Sequence, residues 1–331
     1  MPRPDPPDAP ATHNRPVFCP VSLSANLTLA PDMPADFAPD LGLIGLGAVG
    51  SAQARVLGEL AVAPARALLV DPQIYELENL GTYSLGGYLD VELRKPKVDL
   101  AAGALSRWTL VPLAGTAEEA LGQIDAGSLR WPTTVLSGLD SIPARYAAQA
   151  IWPSHLIDAA TGDTAVGLHD VRSNGPCLRC MLPPGRLSES AAAKLARELG
   201  LPIELVIHGS RRLDETDLEQ LTPGSRKRLR PHVGRPICGL ADAIGLTGDG
   251  AETYRPSVPF VSQQAACLGV GRLIASALGL QGLPNFVQYD ALIGPQSMTR
   301  QHRGVRPGCY CQQRAVTIRA VRATRSRMRA A

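Results

Sequence analysis

The chain has 331 residues, 45% of them hydrophobic, with 33 Lys and Arg against 30 Asp and Glu for a formal net charge of +3. That size and apolar content suffice for one large α/β domain or two modest ones and exclude wholesale disorder, while the charge excess is too small to argue for nucleic acid. No apolar run approaches the roughly 20 residues of a membrane span, and MPRPDPPDAPATHNRP lacks the apolar core of a signal peptide, so a cytoplasmic protein is expected.

Residues 1–40 hold ten prolines and no helical period, and read as a Pro-rich arm. Strands are predicted at Leu41–Gly45, Ala67–Val70, Thr134–Leu139 and His155–Asp158, with helices over 50–60, 96–106 and 143–151. Alternation of strands and helices implies a Rossmann-like, mostly parallel sheet with helices on both faces. Ala165–Arg172 begins an antiparallel C-terminal extension. Residues 186–257 form a long connection of uneven composition, opening with a capped helix at Ser188–Leu199. Ser262–Leu280 is a small-residue helix apolar nearly all round, which means core or interface. Phe286–Asp290 is a strand, and 314–331 is a basic tail whose Val-Thr-Ile alternation suits one last strand before a solvated end.

Chemistry concentrates in the first half. Leu41, Leu43 and Ile44 lead into Gly45-x-Gly47-x-x-Gly50 and a helix, and the second strand ends in Asp71. Glycines allow a tight turn and close backbone approach, the helix N-terminus favours phosphate, and the acid can accept from ribose hydroxyls. Asn79-Leu80 follows, then Lys95-Pro96-Lys97 opens a helix. Asp140 closes the apolar strand TTVLSGLD, at the carboxyl edge where open α/β sheets bind ligands. Lys is rare, confined to positions 95, 97, 194 and 227, which makes Lys97 in a motif more informative.

The order of these motifs, with Cys177-x-x-Cys180 and Cys309-x-Cys311 after them, resembles the ThiF/MoeB/HesA family of adenylyltransferases related to ubiquitin-activating enzyme, across roughly residues 41–313. The resemblance implies ATP and Mg²⁺ bound by Gly45, Gly47, Gly50, Asp71, Asn79, Lys97 and Asp140. Asn79 and Lys97 fall on phosphate-contacting positions and Asp140 on the metal-binding acid; Arg145 matches an Arg of the following helix. It implies a homodimer, and as substrate a ubiquitin-like carrier protein or peptide ending in Gly, served by a conjugating enzyme or sulfur carrier. Departures are Thr82 and Tyr83 where the family has an Arg, Gln73 where it has a second acid, and only Arg3 and Arg15 ahead of the glycine loop.

Seven cysteines in a cytoplasmic chain are better read as metal ligands or reactive thiols than as disulfides. Cys177, Cys180, Cys309 and Cys311 suit a closed structural Zn²⁺ site, with a Cys177–Cys180 redox pair as the competing reading. Cys267 reads as core and Cys19 lies in the arm. Cys238 follows a basic segment in the long connection, where the family often carries a thioester-forming cysteine; a buried loop cysteine is the other reading. No His spacing suggests a catalytic metal, and His208 and His232 read as surface. The leading expectation is adenylation of a C-terminal carboxylate and its transfer to a thiol. Alternatives are an NAD(P)-dependent oxidoreductase, which leaves Lys97, Asp140 and the four cysteines unused, and a degenerate partner subunit.

Overall fold

In β1 (Asp40–Ile44) four successive residues are buried. A strand covered on both faces must be apolar at every position rather than at alternate ones. The structure, a computed structural model, describes residues 39–60, 65–162, 164–183, 196–207, 212–235, 237, 240 and 258–330. β1 is joined by β2 (Arg66–Val70), β3 (Thr109–Leu113), β4 (Thr134–Ser137), β5 (His155–Gly162), β6 (Ala165–Arg172), β7 (Phe286–Asp290) and β8 (Thr299–Gln301). They form one sheet in the order β3-β2-β1-β4-β5-β6-β7-β8. Pairs through β5 are parallel, with Leu41 opposite Ala67 and Thr134; β5 to β8 pair antiparallel.

Two helical layers cover the sheet. On one face α1 (Ala48–Glu59), α3 (Lys97–Ala104) and α10 (Pro259–Ala277) bury Leu57, Val98 and Leu273 against Leu41, Leu43 and Leu69. On the other, α4 (Ala117–Asp125), α5 (Ile142–Ala150) and α6 (Leu178–Met181) bury Ile124, Ile151 and Leu178 against Ile44, Leu68 and Val70. Odd and even positions of β1 and β2 thus serve different cores, the period-two rule of a strand. The short α2 (Tyr88–Glu92) lies between the layers in sequence. Within the long connection, α7 (Ile203–Ile207), α8 (Glu215–Glu219) and α9 (Pro223–Leu229) belong to a segment with its own apolar cluster of Leu199, Leu213, Leu229 and Leu240. No helix among the described residues is long and apolar enough to cross a membrane.

The structure adds and corrects elements. β3 and α4 were not expected: Pro112 interrupts the strand pattern and is tolerated because β3 is an edge. The start of α4 carried a readable signal, since Thr116 accepts from the Glu119 amide and Glu119 returns the bond in a capping box. The helix expected at Ser262–Leu280 runs Pro259–Ala277, and it is core: Val261, Ala265 and Val270 are buried while Gln263 and Cys267 face out. Cys267 is therefore exposed, against its expected place in the core.

The basic tail is neither strand nor solvated end. After α11 (Tyr310–Gln313), residues Ala315–Ala330 form α12. Ile318, Arg322, Arg325 and Arg329 recur at intervals of three or four and share one face of it. Arg325 donates to Asp125 Oδ1 at 2.7 Å and to the carbonyls of Ala150 at 3.3 Å and Ile151 at 2.6 Å; Arg322 donates to those of Trp152, Pro153 and Ser173. These are helix-end and loop carbonyls, that of Ile151 accepting also from Trp131 Nε1 at 3.0 Å, and guanidinium groups suit them in charge and number of donors. Arg325→Ala is expected to lower stability by about 2 kcal/mol, because Asp125 and the Ala150 carbonyl lose this donor and the Ile151 carbonyl loses one of two. Urea unfolding checks this, and an unchanged midpoint would show that α12 adds nothing to the fold.

Candidate functional site

The parallel strand order reverses between β1 and β4, and a crevice opens at such a point beyond the strand carboxyl ends. Gly45 ends β1 with φ +80°, a conformation other residues adopt only with strain. A Cβ on Gly50 would lie 1.9 Å from the Gly45 carbonyl oxygen, and one on Gly138 would lie 2.7 Å from the Gly50 nitrogen. The two turns interlock and leave no room for side chains there. Gly47 differs: a Cβ on it would meet nothing within 4 Å, so it faces open space. It is also the N-cap of α1, with no side-chain cap and no acid in the first turn, which leaves backbone N–H groups for an anion.

Asp71, 5% exposed, fastens this turn. It accepts from the Leu46 amide at 2.6 Å and the Gln73 amide at 2.8 Å. Burial pushes its carboxyl up, against the pull of Lys97 and of both amides. Lys97, 4% exposed at the start of α3, donates from Nζ to Gln73 Oε1 at 2.7 Å. Burial draws its ammonium pKa down, opposed by Asp71, Glu76, Glu78 and Asp140. Gln73, in the place where an acid was expected, is a neutral partner, so it holds Lys97 without cancelling its charge. Tyr83 is buried against the other side of Lys97, its hydroxyl 3.4 Å from the Lys97 carbonyl.

Of the sequence-predicted residues, Gly45, Gly47, Gly50, Asp71, Lys97 and Asp140 are brought to this crevice, and Asp140 is exposed at the end of the β4 turn. Asn79 closes a short 3-10 turn, accepting from the Glu76 amide at 3.0 Å. Cys238, Cys19, Arg3, Arg15 and His208 lie outside the described residues.

A buried network behind the crevice escaped the sequence reading. Asp158, fully buried in the middle of β5, accepts from Ser137 Oγ at 2.8 Å and pairs with His169 Nδ1 at 2.9 Å and Arg145 Nε at 3.7 Å. Arg145 also donates to the Leu139 carbonyl at 2.9 Å, fixing the turn that carries Asp140. Burial opposes ionisation of Asp158, but Arg145, His169 and Ser137 outweigh it and hold the carboxyl below its usual range. The available signal was an acid set among apolar residues, Leu156 and Ile157 before it and Ala159 and Ala160 after it; β5 runs on to Gly162, past the end expected at Asp158.

At the amino edge of the sheet, Cys177, Cys180, Cys309 and Cys311 bring their Sγ atoms within 4.8 Å of one another. Neighbouring sulfurs are 3.8, 3.6 and 3.5 Å apart, far beyond a disulfide bond of about 2.05 Å. A tetrahedron of thiolates around a metal with bonds of about 2.3 Å has edges of about 3.8 Å, so the four fit such an ion. The Arg306 amide points at Cys180 Sγ from 3.4 Å, a bond of the kind that orients a ligating thiolate. Burial pushes the Cys177 thiol up to about 11, a cost that a bound cation would remove.

No family model matches this sequence. The uncharacterised protein y4jF of Sinorhizobium fredii (strain NBRC 101917 / NGR234) is 27% identical over 275 residues, 73% of this chain and 50% of the relative, so this chain spans about half the length of the curated relative it matches. Among solved structures, E. coli MccB with AMPCPP and MccA matches with a TM-score of 0.51 at 13% identity, over 82% of this chain and 65% of MccB. MccB with MccA-N7isoASN matches with a TM-score of 0.50 at 13% identity, over 84% and 67%. At that identity the likeness establishes a shared fold.

The lowered pKa of Asp158 has a defined pH consequence. Its contribution to stability is complete above the ordinary carboxylate value of about 4 and is lost as pH falls through the depressed value. Asp158→Asn is expected to cost about 3 kcal/mol at neutral pH and to flatten the acid limb of the stability profile. Urea midpoints between pH 2 and 7 read both effects; parallel acid limbs in the two proteins would refute the assignment.

Proposed function

We propose that this chain is an ATP-dependent adenylating enzyme acting on the C-terminal carboxylate of a peptide or small protein. The observation that carries the reading is Lys97, a buried ammonium group held by a neutral amide, beside an uncapped helix N-terminus and the acids Asp71 and Asp140. A buried ammonium group hydrogen-bonded to a neutral amide, next to the N–H groups of an uncapped helix start, suits a polyphosphate. The motif order supports the reading, and so does a fold shared with MccB, captured with AMPCPP and MccA.

In this scheme the glycine turn and the α1 N-terminus receive phosphate oxygens, Asp71 holds the turn and faces the ribose, and Lys97 neutralises charge that develops on the leaving group. A substrate carboxylate oxygen attacks the α-phosphorus, an O–P bond forms, the bond to the β-phosphate oxygen breaks, and pyrophosphate departs with the electron pair. Asp140 would hold the Mg²⁺ that accompanies ATP and offsets its charge. No general base is needed, because the nucleophile is already ionised, so the work is positioning and electrostatics. Transfer of the acyl group to a thiol, with Cys238 as the candidate, would follow. The four clustered cysteines would hold a structural Zn²⁺, remote from this chemistry.

AMPCPP titrated calorimetrically into the full chain is expected to bind in the presence of Mg²⁺, and Lys97→Ala to weaken it at least about tenfold, or ~1.4 kcal/mol. Peptides with a free C-terminal carboxylate are expected to drive exchange of labelled pyrophosphate into ATP, and amidated ones not; Asp140→Ala should abolish exchange. A wild-type protein that binds no AMPCPP would overturn the reading.

The metal assignment is checked separately. Purified protein should contain about one zinc per chain, and a chelator should lower its melting temperature. Equal melting of Cys309→Ser and wild type, with and without chelator, would remove zinc from the structure.

A further inference from the structure

The amino edge of the sheet carries a second, differently built cleft of about 230 Å³. Its floor is apolar, from Ile124, Leu129 and the buried Trp131, and its charged lining is Arg130, Arg325 and Arg329, with no carboxylate among them. The surrounding ion pairs do not balance. Asp40 alone meets Arg66 at 3.2 Å, Arg130 at 3.4 Å and Arg329 at 3.0 Å, while Arg325 pairs with Asp125 at 2.7 Å. Among the described residues four guanidinium groups stand against two carboxylates, an excess of two positive charges, and Asp40 is itself largely buried, with an 8% exposed side chain.

A carboxylate offers about four lone-pair sites and each guanidinium five N–H donors, so most donors of Arg130 and Arg329 have no acceptor on Asp40. Cations of one sign above an apolar floor focus their field into the cleft, where water screens poorly. We propose that this cleft is a binding site for a dianionic phosphoryl group, held by Arg130 and Arg329 with Arg325 beneath. Charge selects the class: a dianion matches the excess of two, and the planar guanidinium fork fits phosphate oxygens in pairs. Volume limits it. At about 30 Å³ per water the cleft takes the space of seven or eight waters, enough for a phosphoryl group and a few further atoms but not for a nucleotide.

The site is independent of the proposed nucleotide crevice. Asp40 begins β1 and Gly45 follows its end, and five residues of strand separate them by roughly 16 Å. A bound anion would instead join α12 to the loop after α4, tightening the C-terminal helix onto the body of the domain.

Calorimetric titration of inorganic phosphate into the full chain, in chloride buffer without nucleotide, tests this. Wild type is expected to bind phosphate, and to bind acetate, a monoanion, at least about tenfold more weakly. Arg329→Gln is expected to weaken phosphate at least about tenfold, and Lys97→Ala, at the far edge, to leave it unchanged. Should Arg329→Gln fail to fold, Arg130→Gln gives the same test, since its side chain is 45% exposed and its one ion pair is to an already oversupplied Asp40. Phosphate binding that survives in Arg130→Gln and Arg329→Gln overturns the proposal. So does its loss in Lys97→Ala alone, or its absence from wild type.

Discussion

The carbonyl oxygen of Gly45 and the backbone of Gly50 are in a contact that admits no side chain, and the Gly138 turn presses on the same atoms. Much of the crevice follows from that contact. It brings the ends of β1 and β4 together at the point where the sheet reverses order, and it aims the first turn of α1 outward. Asp71 then ties the Leu46 amide to the end of β2, so three strand ends become one rigid rim. Arg145 and Asp158 stiffen the rim from behind through the Leu139 carbonyl. Burying that ion pair is expensive in isolation. It persists because hydrogen bonds from Ser137 and His169 give each carboxylate oxygen a partner besides the guanidinium.

The opposite edge is organised by different means. Four cysteines join the segment after β6 to the start of α11, across some 130 residues of sequence. Aromatic and cationic groups extend the junction: Arg179 lies over Tyr146 at 4.1 Å, and Tyr310 stacks on Trp152 at 6.3 Å. Arg322 continues it along α12. The sheet thus carries a polar crevice at its carboxyl edge and a cysteine-rich seam at its amino edge. Chemistry at one need not disturb cohesion at the other.

How far this was legible depends on whether partners were close in sequence. The glycine turn, Asp71 and the Pro96-Lys97 helix start are local patterns whose meaning is fixed within a few residues, and the cysteine pairs announced themselves by spacing. β3 was hidden by Pro112, a residue that argues against a strand everywhere except at an edge. α12 was hidden by its composition, because Arg at intervals of three and four reads as a solvated face unless the carbonyls beneath it are known. The Asp158 network joins it to residues 11 to 21 positions away, on four elements in all, and only the pairing of β4, β5 and β6 with the packing of α5 unites them. Cys267 illustrates the reverse error. A helix rich in small apolar residues offered no polar face to mark its outside, and packing on β5 and β6 chose it.

The bonds of Arg322 have a bearing on how such a protein tolerates change. All three of its acceptors are backbone carbonyls, those of Trp152, Pro153 and Ser173, and two of the three acceptors of Arg325 are as well. A carbonyl is present whatever side chain the position carries. Substitutions in those loops therefore leave the acceptors in place, and a mutation need not await a matching one in the helix. Drift can proceed on one side of the contact only, so two chains can retain this junction while sharing few residues across it.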